Sequence, residues 1–156
     1  MGRFKNRFGG SGKKSLKKIA IGLMGVALIG AMGFFVLGGK DSVKYTILEE
    51  KQIPQQIISE VIPQYRQLER ALACVVDGKI YVVATRGEKP TSGYEISIDK
   101  MYIEKDGGKT NLVVCTVFKD PKAGMSLSQV LTYPFQVAET DLKSLPEGIQ
   151  LKVQYE

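Results

Sequence analysis

The chain of 156 residues contains no histidine and only two cysteines. Without histidine it cannot form the Ser-His-Asp or Cys-His arrangements that activate a nucleophile, and it has no imidazole to bind a metal. Two cysteines are too few for a structural zinc site. A Ser-x-x-Lys spacing occurs at Ser15 and Lys18 and at Ser97 and Lys100, but neither serine is predicted at the start of a helix, where such a nucleophile is found. We therefore expect no catalytic activity, no metal and no cofactor.

Charge is absent from the 21 residues between Ile19 and Gly39, which contain no proline, asparagine or glutamine either. A helix of this length spans roughly 30 Å, the thickness of the hydrocarbon core of a bilayer. Its apolar side chains point all round the axis, unlike those of a surface helix. The pattern predicts a transmembrane helix over residues 19–39. A cleaved signal peptide is the alternative, although its apolar region is shorter and ends in small residues.

Acidic residues are missing from residues 1–18, which carry seven lysines and arginines. Basic flanks of a membrane helix stay in the cytoplasm during insertion. Residues 1–18 are thus predicted to be a cytoplasmic tail, and everything after Lys40 to be extracytoplasmic. The remaining 15 basic residues face 16 acidic ones, so the outer part is close to neutral. The net charge of +6 therefore indicates membrane topology, and no nucleic-acid partner is expected.

Residues 43–156 are predicted to form one extracytoplasmic domain, in which the apolar residues mostly alternate over short segments. Two short helices, near residues 54–62 and 64–70, are separated by Pro63, which interrupts a helix. Tight turns are predicted at Asp77-Gly78 and at Asp106-Gly107-Gly108. The segments that read as strands are 43–48, 72–76, 80–85, 94–103, 112–118, 131–137 and 149–155. This pattern predicts a mainly β fold, either an antiparallel sandwich or an open barrel.

Three details refine this prediction. A change of phase at Lys100 indicates a β-bulge, and Pro134 suggests that its strand lies at a sheet edge. If the strands form a meander, the loops 87–93 and 120–128 share one end of the domain. Cys74 and Cys115 both lie on predicted strands in an oxidising location, which permits a disulfide. Because both are flanked by apolar residues, free thiols packed as small hydrophobes are favoured over that disulfide.

The loop from Lys89 to Tyr94 is more constrained than a simple connection requires. Pro90 fixes its own φ and holds Lys89 extended. Thr91 and Ser92 can hydrogen-bond to nearby backbone, and Gly93 can adopt a positive φ. Tyr94 is then predicted to enter the core. Exposed, rigid loops on a sheet are common binding sites, so these six residues are the candidate partner-binding loop, although a well-made turn would explain them too.

Three motifs follow one another in the chain: Gly-x-Lys-Pro-Thr-x-Gly-Tyr at 87–94, Asp-Pro-Lys-x-Gly at 120–124 and Gln-Val-Leu-Thr-Tyr-Pro-Phe at 129–135. In this order they resemble the C-terminal domain of the PrcB family, accessory subunits of bacterial surface protease complexes. The resemblance covers about residues 43–139. Two departures are Ser92, where the family usually has glycine, and a membrane helix in place of a lipid-anchor cysteine.

The resemblance implies a non-catalytic domain that binds another extracytoplasmic protein, a surface protease in the PrcB family. The Pro-Thr-x-Gly-Tyr loop is also similar to the Asn-Pro-Thr-Thr-Gly-Tyr loop of chagasin-type cysteine-peptidase inhibitors, which are β-sandwiches as well. Lys89 stands here at the asparagine position. Two functions are therefore expected as alternatives: a membrane-anchored protease subunit, or a peptidase inhibitor.

Overall fold

The computed structural model describes residues 21–22 and 40–156. The predicted cytoplasmic tail lies outside these residues. So does the predicted transmembrane helix, apart from Ile21–Gly22, which forms a short strand. Within the described part of the chain, no helix is both long enough and apolar enough to span a bilayer. The membrane anchor thus stays a prediction.

The described residues form a β-sandwich with a helical segment on one outer face. The first sheet has the strand order β1-β4-β5-β8-β3 and the second has the order β2-β6-β7-β9. The mainly β prediction is confirmed, and the architecture is a sandwich and not a barrel. The strands are β1 (Ile21–Gly22), β2 (Asp41–Ser42), β3 (Tyr45–Ile47), β4 (Glu69–Val76), β5 (Lys79–Arg86), β6 (Glu95–Asp106), β7 (Lys109–Lys119), β8 (Phe135–Thr140) and β9 (Gly148–Tyr155).

Two tight hairpins, both predicted, each join a pair of long strands. Asp77 and Gly78, with φ of 50° and 78°, connect β4 to β5. Gly107 and Gly108, with φ of 55° and 81°, connect β6 to β7. Two consecutive positive φ values match the right-handed twist of the flanking strands, which is why Asp-Gly and Gly-Gly are favoured there. Each hairpin lies in a different sheet.

The strands do not follow a simple meander. The chain crosses from the first sheet to the second after β5, returns after β7 and crosses again after β8. As a result β9 runs parallel to β7, from Asn111 opposite Gly148 to Phe118 opposite Tyr155. The prediction of a wholly antiparallel fold is therefore wrong at this pair. Parallel neighbours require a crossover connection. Here the path from β7 to β9 passes through β8 in the first sheet and returns to the second sheet by residues 141–147.

The predicted bulge is confirmed, because the pairing of β6 with β7 shifts register between Ile98 and Lys100. At this point the Ile98 amide donates a hydrogen bond of 2.6 Å to Gln136 Oε1 from the opposite sheet. The predicted strand 131–137 begins only at Phe135. Leu131, in the part of the predicted segment that is not strand, is 59% exposed. Pro134 ends the preceding loop, and its carbonyl accepts a hydrogen bond from the Arg86 amide.

Apolar residues fill two layers. The inner core lies between the sheets and includes Val82, Leu112, Val114 and Phe118, all fully buried. The outer layer lies between the first sheet and the helical segment, and its main contributors are Ile57, Val61, Tyr65, Leu72, Val83 and Val137. The first sheet is therefore covered on both faces, which explains its continuous apolar runs.

The helical segment is a single piece and not two. Ile57–Val61 is a π-helical turn that continues into the α-helical turn Ile62–Tyr65. Pro63 cannot donate to the helix ladder, and the wider π turn just before it accommodates this interruption. The predicted helix 64–70 is wrong, since β4 begins at Glu69. Its apparent helical period combined residues that belong to a helix end, a turn and a strand.

Cys74 and Cys115 are free thiols on opposite faces of the sandwich. Cys74 belongs to the outer layer under the helical segment. Cys115 follows Val114, which faces the inner core, so its side chain points to the outer face of the second sheet. Because packed sheets are about 10 Å apart, a disulfide between these residues cannot form in this fold, and the free-thiol alternative is the correct one.

We expect an alkylating reagent at pH 8 to modify Cys115 well before Cys74. Burial raises the pKa of the Cys74 thiol from 9.0 to about 11, so both access and the reactive thiolate are lacking. Burial also raises the pKa of Cys115, but Lys100 and Lys152 oppose this shift. Mass spectrometry of native and urea-unfolded protein measures both rates. Equal modification of the two cysteines in the native protein would contradict the burial of Cys74.

Candidate functional site

The loops 87–94 and 120–134 lie together at one end of the sandwich, here called the loop end. One connects β5 to β6 and the other connects β7 to β8. The loops 87–93 and 120–128 thus share an end as expected, although the meander from which this was inferred is not the topology of the fold. Lys89 and Thr132 form a small antiparallel bridge in which each amide donates to the other carbonyl, at 2.8 and 2.9 Å. The two loops are thus joined by backbone pairing.

Further backbone and side-chain hydrogen bonds join the candidate loop to the second loop. The Ser92 amide donates to the Ser128 carbonyl at 3.1 Å, and the Ser128 amide donates to Ser92 Oγ at 2.9 Å. The Thr132 hydroxyl donates to the Thr91 carbonyl at 2.7 Å. The Thr91 hydroxyl donates only to the neighbouring Ser92 carbonyl, at 2.9 Å. The candidate loop is therefore held along its length, while the Thr91 side chain makes no bond to the other loop.

Gly93 packs tightly against the second loop. Its φ is +92°, a region that residues with a side chain rarely adopt. A Cβ atom added there would lie 2.8 Å from Leu127 Cδ2 and 3.0 Å from Pro121 Cβ. Both the positive φ and the lack of space therefore require glycine at this position. The positive φ was expected from the loop motif.

Arg86 is buried beneath the loop end, with 2% of its surface exposed. Its guanidinium donates to the carbonyls of Glu95 and Lys119, at 2.9 and 2.5 Å, and forms an ion pair with Asp120. Its Nε is buried without a hydrogen-bond partner among the described residues. One side chain therefore ties the end of β5 to the start of β6 and the end of β7.

Arg86 was not identified as a functional residue from the sequence. An arginine directly after an apolar strand reads as the first exposed residue of a loop, and no local pattern marks it as buried. The Asp120-Pro121 motif was noted for its resemblance to a family, and it contains the acidic partner. The only signal in the sequence was a single arginine at the end of an apolar strand, together with a later aspartate in a loop.

Tyr94 is half-buried and does not enter either apolar layer, so that prediction was wrong. Its ring lies 5.1 Å from the Arg86 guanidinium and 5.7 Å from Lys89 Nζ. Phe118 lies on the inner side of the same guanidinium, at 4.7 Å. Cations held over aromatic faces gain about 0.5–2 kcal/mol. Tyr94 thus covers Arg86 and also makes a cation–π contact with Lys89.

Tyr133 connects the loop end to the helical segment. Its hydroxyl donates to Glu88 at 2.8 Å, and its ring lies 4.3 Å from the Arg66 guanidinium. The hydrogen bond to Glu88 is the main reason that the pKa of the Tyr133 hydroxyl is raised. Tyr133 was predicted to lie on the strand 131–137. It instead fixes the position of the second loop against the residues that follow the helix.

Several large apolar side chains of the second loop face solvent. Met125 is 52% exposed, Val130 is 57% exposed and Leu131 is 59% exposed. Leu68, just before β4, is 48% exposed and lies at the same end, because the added Cβ of Gly87 would contact residues 67–69. Pro90 at the tip of the candidate loop is exposed as well. Exposed apolar side chains concentrated at one end of a rigid sheet are a candidate surface for binding another protein.

Comparison with known proteins gives one family match. Residues 80–141 match the family model described as PrcB C-terminal. No curated protein matches the chain, and no solved structure matches it either. The matched range extends from β5 to the end of β8 and contains Arg86, both loops and Tyr133. The resemblance predicted from the loop motifs is therefore confirmed over this range, where the chain is similar to the PrcB C-terminal domain.

Proposed function

We propose that this chain is a non-catalytic accessory subunit, anchored in the membrane by residues 19–39, that binds an extracytoplasmic protease through its loop end. The observation that carries the proposal is the construction of that end. Two loops are joined by backbone pairing and fixed from below by Arg86, yet they present exposed apolar side chains. The PrcB C-terminal match supports a protease as the partner class.

The direction of the loop end suits this role. From residue 40 onward the chain enters the sandwich through β2, where Asp41 and Ser42 pair with Ile103 and Tyr102 of β6. Strand β6 starts at Glu95, beside the loop end. At about 3.3 Å per residue the start of β6 and Ile103 are separated by roughly 25 Å. On an anchor formed by residues 19–39, in which Ile21–Gly22 would leave β4 and join the helix, the loop end would therefore point away from the bilayer, where an extracytoplasmic partner can approach it.

The absence of histidine from the sequence supports a role in which the partner performs the catalysis. An inhibitor of the chagasin type would also use the candidate loop, but it would block the protease that it binds. In this chain the loop is paired along its side with the second loop, which favours a two-loop docking surface over a single loop inserted into a cleft. The activity of the captured protease distinguishes the two functions.

We expect Thr91→Ala to weaken partner binding by about 1–2 kcal/mol while leaving the thermal midpoint nearly unchanged. The Thr91 hydroxyl bonds only within its own loop, and the Thr91 carbonyl keeps its bond from Thr132 in the variant. The test is co-purification of partners with tagged full-length chain from the membrane fraction. A retained, active protease supports the accessory function, and a retained, blocked one supports the inhibitor.

Thr46→Ala is the matched control. Thr46 is exposed on β3 and pairs with Glu139, at the other end of the sandwich from the loops, so its variant should retain every partner. Equal retention by Thr91→Ala and by wild type would show that the candidate loop is a turn and not a contact. Recovery of the whole chain in the soluble fraction would contradict the anchor.

A further inference from the structure

Strand β8 has an open edge that the loop end leaves uncovered. On this edge β3 pairs with Ala138, Glu139 and Thr140 only. The Leu48 amide makes one further bond to the Val137 carbonyl, at 2.9 Å. The chain then leaves the sheet, because the Glu49 amide bonds to the Gln52 side chain and residues 50–52 form a 3-10 helix. Strand β3 therefore stops short of the first residue of β8.

The backbone of Phe135 faces this open edge. Phe135 lies opposite Thr85 of β5, and the flanking bond between these strands runs from the Arg86 amide to the Pro134 carbonyl. In an antiparallel ladder the amide and carbonyl of such a residue point away from that neighbour. No residue that the structure describes is hydrogen-bonded to them there. An unpaired amide and carbonyl on an extended strand are the groups that another strand binds.

A cleft of about 350 Å³ lies along the same edge. This volume is at the small end of the range for ligand sites, about 300–1,000 Å³. Leu48, Ile53 and Val137 give it apolar walls, and Glu50 and Tyr133 lie at its polar side. The exposed Glu50 has no ion pair among the described residues, since the neighbouring Lys51 pairs with Glu49. The cleft thus combines an open strand edge, an apolar space and a free carboxylate.

We propose that this cleft binds an extended segment of the partner protein. The segment adds to β8 as a strand along the part of the edge that β3 does not reach. The inference deepens the proposed function and rests on it for the partner. The segment would pair its backbone with Phe135, place an apolar side chain against Leu48 and Ile53, and bring a lysine or arginine to Glu50. Tyr133 is shared by the cleft and the loop end, so one partner can occupy both.

The probe is a phage library of random linear peptides of about six residues, selected against the detergent-solubilised full chain. We expect the selected peptides to alternate apolar and polar residues and to contain a basic residue. The chosen peptide is then resynthesised with N-methyl groups on alternate residues. Because only every second amide of an added strand faces β8, methylation in one register should weaken binding at least about tenfold, and in the other about twofold or less.

Amide hydrogen exchange measured by NMR locates the bound peptide. The Phe135 amide should exchange more slowly when peptide is added, whereas the Gln136 amide, which faces β5, should not change. Glu50→Lys should weaken the peptide about tenfold. Glu60→Lys, which changes an exposed glutamate of the helical segment, is the matched control and should have no effect.

Three results would overturn the inference: equal loss in both methylation registers, no protection of Phe135 at saturating peptide, or no selected peptide that Glu50→Lys weakens. Protection of Phe135 that rises with protein concentration in the absence of peptide would assign the edge to a second copy of this chain and would also overturn it. The loop-end proposal is tested separately. If Thr91→Ala still releases the partner while Phe135 stays unprotected, only the strand-addition inference fails.

Discussion

Replacing Arg86 with methionine is expected to lower the free energy of unfolding by about 3 kcal/mol, and the thermal midpoint by roughly 10 °C. The variant loses the charged bonds to the Glu95 and Lys119 carbonyls and to Asp120. Three such bonds, at about 1.5–3 kcal/mol each, would together stabilise the fold by more than the loss of about 3 kcal/mol expected here. The cost of removing a guanidinium from water, with Nε left unpaired, offsets part of that gain.

The exposure of Asp120 sets the size of this effect. Its side chain is 60% exposed while that of Arg86 is 2% exposed. Removing the arginine therefore leaves a carboxylate that water can solvate, and the full penalty of about 3–5 kcal/mol for breaking a buried pair does not apply. Most of the loss comes instead from the two carbonyls and from the contacts of Tyr94 and Phe118, which both lie against the guanidinium.

Thermal unfolding of the full chain measures this prediction, and Arg70→Met is its matched control. Arg70 lies on β4, half-exposed, with its guanidinium 5.5 Å from the Tyr65 ring, so its loss should cost about 0.5 kcal/mol. Arg86→Lys keeps the charge but not the fork of donors and should be intermediate. Equal stability of Arg86→Met and Arg70→Met would show that the loop end does not depend on the buried arginine.

The two hairpins were predictable because their information is local. Asp77-Gly78 and Gly107-Gly108 supply the positive φ values that tight turns need, and the apolar runs on either side determine the strands. The bulge at Ile98 to Lys100 was visible for a similar reason, since it moves the apolar residues to the other phase. Features that depend on a few neighbouring residues can be inferred from one sequence.

The arrangement of the strands could not be inferred in the same way. Nothing near β9 indicates that it pairs in parallel with β7, because that choice depends on the crossing of the 141–147 connection between sheets. For the same reason the sequence could not exclude a disulfide between Cys74 and Cys115. Each strand alone permits it, and only the relative position of the two sheets excludes it. Global packing decided both.

The candidate loop was identified correctly as a constrained loop, but the cause of the constraint lies elsewhere in the chain. Pro90 and Gly93 are local signals. The bonds that hold the loop come from Thr132 and Ser128, some 40 residues later, and the buried Arg86 holds Glu95 directly after it. A sequence pattern indicates where a backbone is unusual. It does not indicate which distant residues stabilise that backbone.

Gly93→Val is expected to lower the free energy of unfolding by about 4 kcal/mol. A β-branched residue at a φ of +92° is strained, which costs about 2 kcal/mol. The added side chain would also collide with Leu127 and with the ring of Pro121, whose nearest atoms lie 2.8 and 3.0 Å from the new Cβ. Leu127 can rotate away, whereas the proline ring cannot, so overpacking adds about 2 kcal/mol.

Gly124→Val separates these two contributions. Gly124 lies in the second loop at a φ of +83°, and an added Cβ atom would have no described atom within 4 Å beyond its chain neighbours. This variant should therefore show the backbone strain alone, about 2 kcal/mol. Adding Leu127→Ala to Gly93→Val should restore part of the unfolding free energy that the collision costs. A double-mutant cycle of unfolding free energies measures this restored part. If Gly93→Val and Gly124→Val cost the same and Leu127→Ala recovers nothing, the two loops are not packed against each other at Gly93. The loop end would then lack the rigidity that partner binding requires.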